Sequence, residues 1–302
     1  MRVAIAGTTG LVGHAIARAL SGEGHTVVSI GRREDDDVRI DLANPRVIAA
    51  GELAGCDLLV HAAGVTDEDF GDRAAAQRKA VEGAAALANA ATSARIPRCA
   101  YVSSAHVYGP LEGVIDEART IDPRSDYARG HAAAEDIFTR AAAASGARLL
   151  IARPCAVFGM PPSLDRFKRW SLIPFDFPRQ ALGGEIVLKS TGTQRRNFVS
   201  ADGVARLVGW WLGTDKEGRT VANAPGPHEM SVYDFARLCA RIAGEETGRK
   251  VAVRRPEGTP ASSPTGPPLE YRTRVGGHLP GTDLEDHIRA LVRALSNQKE
   301  AP

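Results

Sequence analysis

An α/β fold, a doubly wound parallel sheet covered by helices, is what this sequence predicts, and three observations carry the prediction. Short β-branched runs alternate with longer alanine-rich segments through residue 155, a glycine triplet follows the first run, and the pattern changes after Gly159. The runs are VAIA from Val3, TVVSI at 26–30, DLLVHAAG at 57–64, CAYVSS at 99–104 and ARLLIARP at 147–154, which together have the rhythm of successive β-α-β units. Between them, Arg73 to Ala94 and His131 to Ala144 carry Val81, Leu87, Ile137 and Phe138 at partial helical spacing, and these segments are expected to be covering helices. Beyond Gly159, scattered aromatics, prolines and basic residues precede a short strand near Glu185 to Leu188 and helices over Asp202–Leu212 and Ser231–Ala243. The stretch RRPEGTPASSPTGPPLEY is rich enough in Pro, Gly, Ser and Thr to predict a mobile loop, and a last helix is expected from Asp283 to Ser296.

A chain of 302 residues can bury a substantial core without staples. Its 38 basic and 36 acidic residues leave a formal charge of +2, which gives no field favouring nucleic acid or a membrane surface, so a small-molecule substrate is the expected partner. Cys56, Cys99, Cys155 and Cys239 lack any metal-binding spacing and read as reduced thiols. With no charged leader before Val3 and no apolar run long enough to cross a bilayer, a cytoplasmic protein is expected.

Gly7, Gly10 and Gly13 form G-x-x-G-x-x-G directly after a strand and at a helix start. Absent side chains there let backbone N–H groups approach a pyrophosphate, so the segment reads as a Rossmann dinucleotide-binding unit. The second strand ends at Gly31, where NAD-preferring proteins carry a carboxylate for the ribose 2′-hydroxyl. Arg32 and Arg33 follow instead and suit a 2′-phosphate, which favours NADP and leaves NAD possible, although Asp35, Asp36 and Asp37 weaken the local positive field.

Together with this loop, Asp41-Leu42, His61-Ala62-Ala63-Gly64, YVSSAHVYG at 101–109, YARGHAAAE at 127–135, RPCAVFG at 153–159 and RRNFVSADGVA at 195–205 make the chain similar to extended short-chain dehydrogenase/reductases. The similarity is strongest to the branch of NAD(P)-dependent sugar epimerases, dehydratases and ketoreductases. The resemblance implies a dinucleotide-binding domain over 1–159 with 190–225 returning to it, and a smaller, partly discontinuous C-terminal substrate-binding or lid region from 160–189 and 226–302. Cofactor contacts implied are Gly7, Thr9, Gly10, Leu11, Val12, Gly13, Arg32, Arg33, Asp41, Leu42, His61, Ala62, Ala63, Tyr127, His131 and Pro154. A homodimer is left open.

In that family a Ser and a Tyr engage the substrate oxygen while a Lys one helical turn beyond the Tyr lowers its pKa and holds the nicotinamide ribose. Ser104 and Tyr127 match the first two, but His131 stands in the lysine place and Ala80 where an Asn usually begins a helix. An imidazole is mostly neutral at pH 7, so its help is expected to be weaker and to grow as pH falls. It either works on ribose and phenol or merely packs beside the cofactor. His106 points to the substrate pocket as an acid/base or is a loop histidine bonded to backbone. The family's Asp-Glu dehydratase pair is absent at 105 and 106, which argues against a nucleotide-sugar 4,6-dehydratase. Arg196, with Arg195 assisting, suits a substrate diphosphate, while Arg166, Lys168 and Arg169 read as solvated lid charges. The expected activity is an NAD(P)-dependent ketoreductase or epimerase acting on a sugar or nucleotide sugar. A catalytically weakened NADP-binding regulatory protein and a dehydratase or lyase with tightly bound nicotinamide are the alternatives.

Overall fold

The computed structural model describes residues 1–259, 266–276 and 281–300. In chain order the first half comprises β1 (Arg2–Ala6), α1 (Leu11–Gly22), β2 (Thr26–Gly31), β3 (Val38–Arg39), β4 (Leu58–His61), α2 (Arg73–Arg78), α3 (Ala84–Ser93), β5 (Arg98–Val102), β6 (Gly113–Ile115), α4 (Asp126–Ser145) and β7 (Arg148–Pro154). The second half comprises β8 (Ala156–Phe158), α5 (Ile173–Ala181), β9 (Glu185–Val187), β10 (Arg195–Ser200), α6 (Ala201–Leu212), β11 (Arg219–Ala224), β12 (His228–Ser231), α7 (Val232–Thr247), β13 (Ala252–Arg254), β14 (Leu269–Tyr271) and α8 (Leu284–Glu300). Residues 260–265 of the stretch expected to be a mobile loop lie outside the described residues.

Seven strands form one parallel sheet in the order β11-β7-β5-β4-β1-β2-β3. Alternation along each strand feeds two cores. Val3, Ile5, Leu58, Val60, Ala100, Val102 and Leu150 face α1 and α6, whereas Ala4, Ala6, Leu59, Cys99, Tyr101, Leu149 and Ile151 face α3 and α4. Strand order reverses beside β1, whose neighbours are β2 and β4, and a crevice opens at the carboxyl ends of strands around such a switch point.

The segment from 190 to 225 divides between two places. β10 joins a separate three-stranded sheet, parallel to β8 and antiparallel to β12, while β11 completes the main sheet beside β7. A third core, with Phe158, Phe198, Phe235, Ile242 and Ile288, fills the space between that small sheet and α5, α7 and α8.

Two helices differ from their sequence boundaries in ways that matter for the crevice. α4 begins at Asp126, five residues before His131, because the Ser125 hydroxyl accepts from Ala128 N and caps its first turn. Tyr127 therefore stands in the first turn. The segment from Arg73 is interrupted by a π turn over Lys79–Gly83, a distortion that re-aims side chains. Gly83 fits there because a Cβ would stand 2.5 Å from the Leu42 carbonyl oxygen.

Candidate active site

The glycine loop closes the crevice on one side. Gly7 has φ +96°, a conformation that costs a side-chain-bearing residue energy, and its N–H donates to Ile30 O at 3.2 Å. A Cβ on Gly13 would stand 2.1 Å from Gly7 O, so α1 reaches the loop only with glycine at 13. Gly10 caps α1 with no side-chain hydrogen bond and the first turn holds no acidic residue, which leaves its backbone donors for an anion. These features fit a dinucleotide pyrophosphate.

Ser103 and Ser104 follow β5, Tyr127 and His131 lie one turn apart on α4, and Pro154 ends β7. A buried ion pair sets their mutual geometry. Arg153 Nε and Nη2 donate to Glu135 Oε1 and Oε2 at 2.9 and 2.5 Å, and Ser103 Oγ donates to Glu135 Oε1 at 2.6 Å. β5, α4 and β7 are thereby tied together one turn beyond His131. Of the predicted residues, Gly7, Thr9, Gly10, Leu11, Val12, Ala62, Ala63, Ser104, His106, Tyr127, His131, Pro154 and Arg196 line one cavity of about 590 Å³.

Gly13, Arg32, Arg33, Asp41, Leu42 and His61 do not line it. Gly13 and Leu42 serve packing, and exposed Asp41 accepts from Ala43 N. The Arg33 guanidinium is engaged by Asp35 at 2.7 Å through both Nε and Nη2, an exposed pair that competes with a 2′-phosphate; exposed Arg32 carries no such pair. The Asp36 carboxylate lies against Gly31, its Oδ2 2.3 Å from where a Cβ would be. His61 is 1 % exposed and stacks on Tyr101 and Phe138 in the core, and burial pushes its pKa down to about 3.

Rings of His106, Tyr127 and His131 form a row, with centroids 5.9 and 4.6 Å apart. His131 is 3 % exposed; its Nδ1 lies 2.7 Å from Tyr101 Oη and its Nε2 3.2 Å from Val65 O. A carbonyl only accepts, so Nε2 carries the proton, and Nδ1 accepts from the Tyr101 hydroxyl. Burial pushes the imidazole down to about 3, assisted by the charges of Arg169, His106 and Lys79. The expected rise in imidazole charge toward mildly acidic pH is therefore corrected, because His131 stays neutral between two partners. The Tyr127 phenol is raised above its ordinary value by burial first, opposed by the Ser104 hydroxyl and by Arg169. His106 is lowered by burial and then by Arg196.

Several lining residues carried little signal in the sequence. Lys79 enters from the π turn and pairs with Asp69 at 2.8 Å, while Thr66, Asp67 and Gln194 complete the polar wall. Arg169 lines the cavity, unlike Arg166 and Lys168. Arg195 lies 3.6 Å from Glu229 Oε1, so its guanidinium is engaged away from Arg196.

The sequence model of the NAD dependent epimerase/dehydratase family matches residues 3–224. The chain belongs to that family. No curated protein matches it in sequence. Among solved structures, this epimerase/dehydratase is similar to MoeE5 in complex with UDP-glucose and NAD, at 21 % identity and TM-score 0.79, over 99 % of this chain and 100 % of that one. UDP-glucuronic acid 4-epimerase from Bacillus cereus, with UDP-glucuronic acid and NAD, is similar at 18 % identity and TM-score 0.77 over the same shares. RMD from Pseudomonas aeruginosa complexed with NADPH is similar at 21 % identity and TM-score 0.74, over 98 % of this chain and 99 % of that one. At these identities the likeness shows the fold. Among the described residues no helix is long and apolar enough to cross a membrane.

Proposed function

We propose that this epimerase/dehydratase-family protein is an NAD(P)-dependent enzyme that transfers hydride at a sugar carbon of a nucleotide sugar, in the direction of carbonyl reduction. One observation carries the reading: Ser104, Tyr127, His106 and Arg196 open onto the same cavity as the glycine loop. The nicotinamide, when bound, supplies the hydride that adds to the carbonyl carbon. Ser104 donates a hydrogen bond to the carbonyl oxygen, and Tyr127 Oη gives that oxygen its proton, leaving a phenolate that solvent reprotonates. Burial keeps the phenol protonated near neutral pH, which suits an acid better than a base and favours reduction over an oxidation that begins by taking a proton. Arg196 grips the substrate diphosphate, and His106 faces the sugar beside Tyr127.

Gly7, Gly10 and the first turn of α1 hold the pyrophosphate. Arg32 favours NADP, by a margin that the Arg33–Asp35 pair and the Asp36 carboxylate over Gly31 make smaller than the sequence implies. Residues 160–189 and 226–302 serve as the substrate side. The test is a panel of nucleotide 4-ketosugars with NADPH or NADH followed at the nicotinamide absorbance. Oxidation of the cofactor with a matching reduced sugar supports the reading. Interconversion of UDP-sugar epimers without net cofactor consumption would replace it with an epimerase, as the similar Bacillus cereus UDP-glucuronic acid 4-epimerase is.

A further inference from the structure

The end of β2 lacks the side chain that its place in the fold calls for. Gly7 N–H donates to Ile30 O at 3.2 Å, so the glycine loop sits directly against the last residues of that strand. Val28 and Ile30 belong to the core shared with α3 and α4, whereas Val27 packs on the α1 side. Alternation along the strand therefore directs position 31 to the α1 side, where the first turn of that helix has its donors free for a pyrophosphate. A carboxylate at that position accepts from the ribose 2′-hydroxyl of a bound dinucleotide, and Gly31 has none to offer.

The turn that follows fills the gap. Asp36 Oδ2 stands 2.3 Å, and Oδ1 3.1 Å, from where a Cβ of residue 31 would be. That is close to the separation at which an aspartate at 31 would hold its own carboxyl oxygens. Arg33 N donates to Asp36 Oδ2 at 2.8 Å and Asp36 N to Arg33 O at 3.3 Å, so residues 33–36 turn this carboxylate back onto the strand end. Its two acidic neighbours are committed elsewhere. Asp35 holds the Arg33 guanidinium, and Asp37 accepts from the N–H and the hydroxyl of Ser29. Asp36 is half-buried, and among the described residues its Oδ1 accepts no hydrogen bond and no cation pairs with it, which leaves one oxygen open to a hydroxyl donor.

We propose that Asp36 supplies, from five residues further on, the carboxylate that position 31 lacks, accepting from the ribose 2′-hydroxyl of NAD, while exposed Arg32 meets the 2′-phosphate of NADP. One turn then admits both dinucleotides, and Asp36 is the residue that keeps NAD among them. This rests on the reading of the crevice as a dinucleotide site, not on the reaction carried out there. The test is fluorescence titration of the full chain, without sugar substrate, with NADH, NADPH and an NADH whose adenosine lacks the 2′-hydroxyl. Wild-type protein is expected to bind NADH about tenfold more tightly than its 2′-deoxy analogue, the weight of one hydrogen bond to a charged group. Asp36→Ala should bind those two equally and NADPH more tightly than wild type does, since the phosphate no longer meets a carboxylate. Asp35→Ala removes the same charge from the same turn and should keep the tenfold difference. Equal binding of NADH and its 2′-deoxy analogue by the wild-type chain would overturn the proposal with no variant needed. So would a difference that persists in Asp36→Ala or disappears in Asp35→Ala. A chain that shows the expected binding but turns over no ketosugar loses the proposed reaction and keeps this assignment.

Discussion

Replacing His131 by Leu separates a locked structural imidazole from a chemical one. The change takes the acceptor from the Tyr101 hydroxyl, which is 1 % exposed and 2.7 Å from Nδ1, and the donor from Val65 O at 3.2 Å. Each buried polar group left alone costs about 1–3 kcal/mol, so His131→Leu should lose about 2–6 kcal/mol of unfolding free energy. Adding Tyr101→Phe deletes one of the two orphans and should return about 1–3 kcal/mol, a coupling that a double-mutant cycle isolates. Urea unfolding of the four proteins, with equal m-values, measures it. An unchanged midpoint for His131→Leu, or strict additivity with Tyr101→Phe, would refute the locked geometry. The same geometry predicts that kcat/KM between pH 5 and 8 shows no limb that disappears with His131, since its imidazole titrates at about 3.

Tyr127→Phe should lower kcat/KM by about 10²–10⁴ with dinucleotide affinity kept, checked by steady-state kinetics and cofactor fluorescence; full activity would exclude it as the acid. Gly13→Ala places a Cβ 2.1 Å from Gly7 O and should abolish dinucleotide binding, whereas Gly22→Ala on the same helix meets nothing within 4 Å and should leave binding intact. Acid should weaken the fold early. His61 and His131 titrate at about 3 and His287 at about 4 in the folded chain against about 6.5 when unfolded. The unfolded state binds the extra protons in that window, so stability present above pH 6.5 is lost as pH falls toward 4, at up to about 1.4 kcal/mol per unit for each histidine. Urea midpoints that stay flat from pH 7 to 4.5 would contradict the buried neutral state.

The strands and the glycine loop were legible because their signals are local: short apolar, β-branched runs at β1, β4, β5 and β7, and glycines whose missing Cβ atoms the backbone requires. The meeting of Ser104, Tyr127, His106 and Arg196 followed from motif order. The state of His131 did not, because Tyr101 and Val65 lie 30 and 66 residues away and only the packing of α4 on β5 and on the segment after β4 brings them to its two nitrogens. The Arg33–Asp35 pair spans two residues, and its cost to phosphate recognition is a matter of side-chain geometry that composition does not contain. Arg169 was hidden among Arg166 and Lys168, since nothing in the sequence says which lid cation Glu68 will hold.

Hydride transfer at the sugar carbon is tested most directly with reduced nicotinamide carrying deuterium at C4 and a nucleotide 4-ketosugar, the product being read by mass spectrometry. Wild-type protein should deliver one deuterium to the sugar, Tyr127→Phe almost none, and NADPH should serve better than NADH. A sugar that stays unlabelled with both cofactors would contradict the proposed reaction.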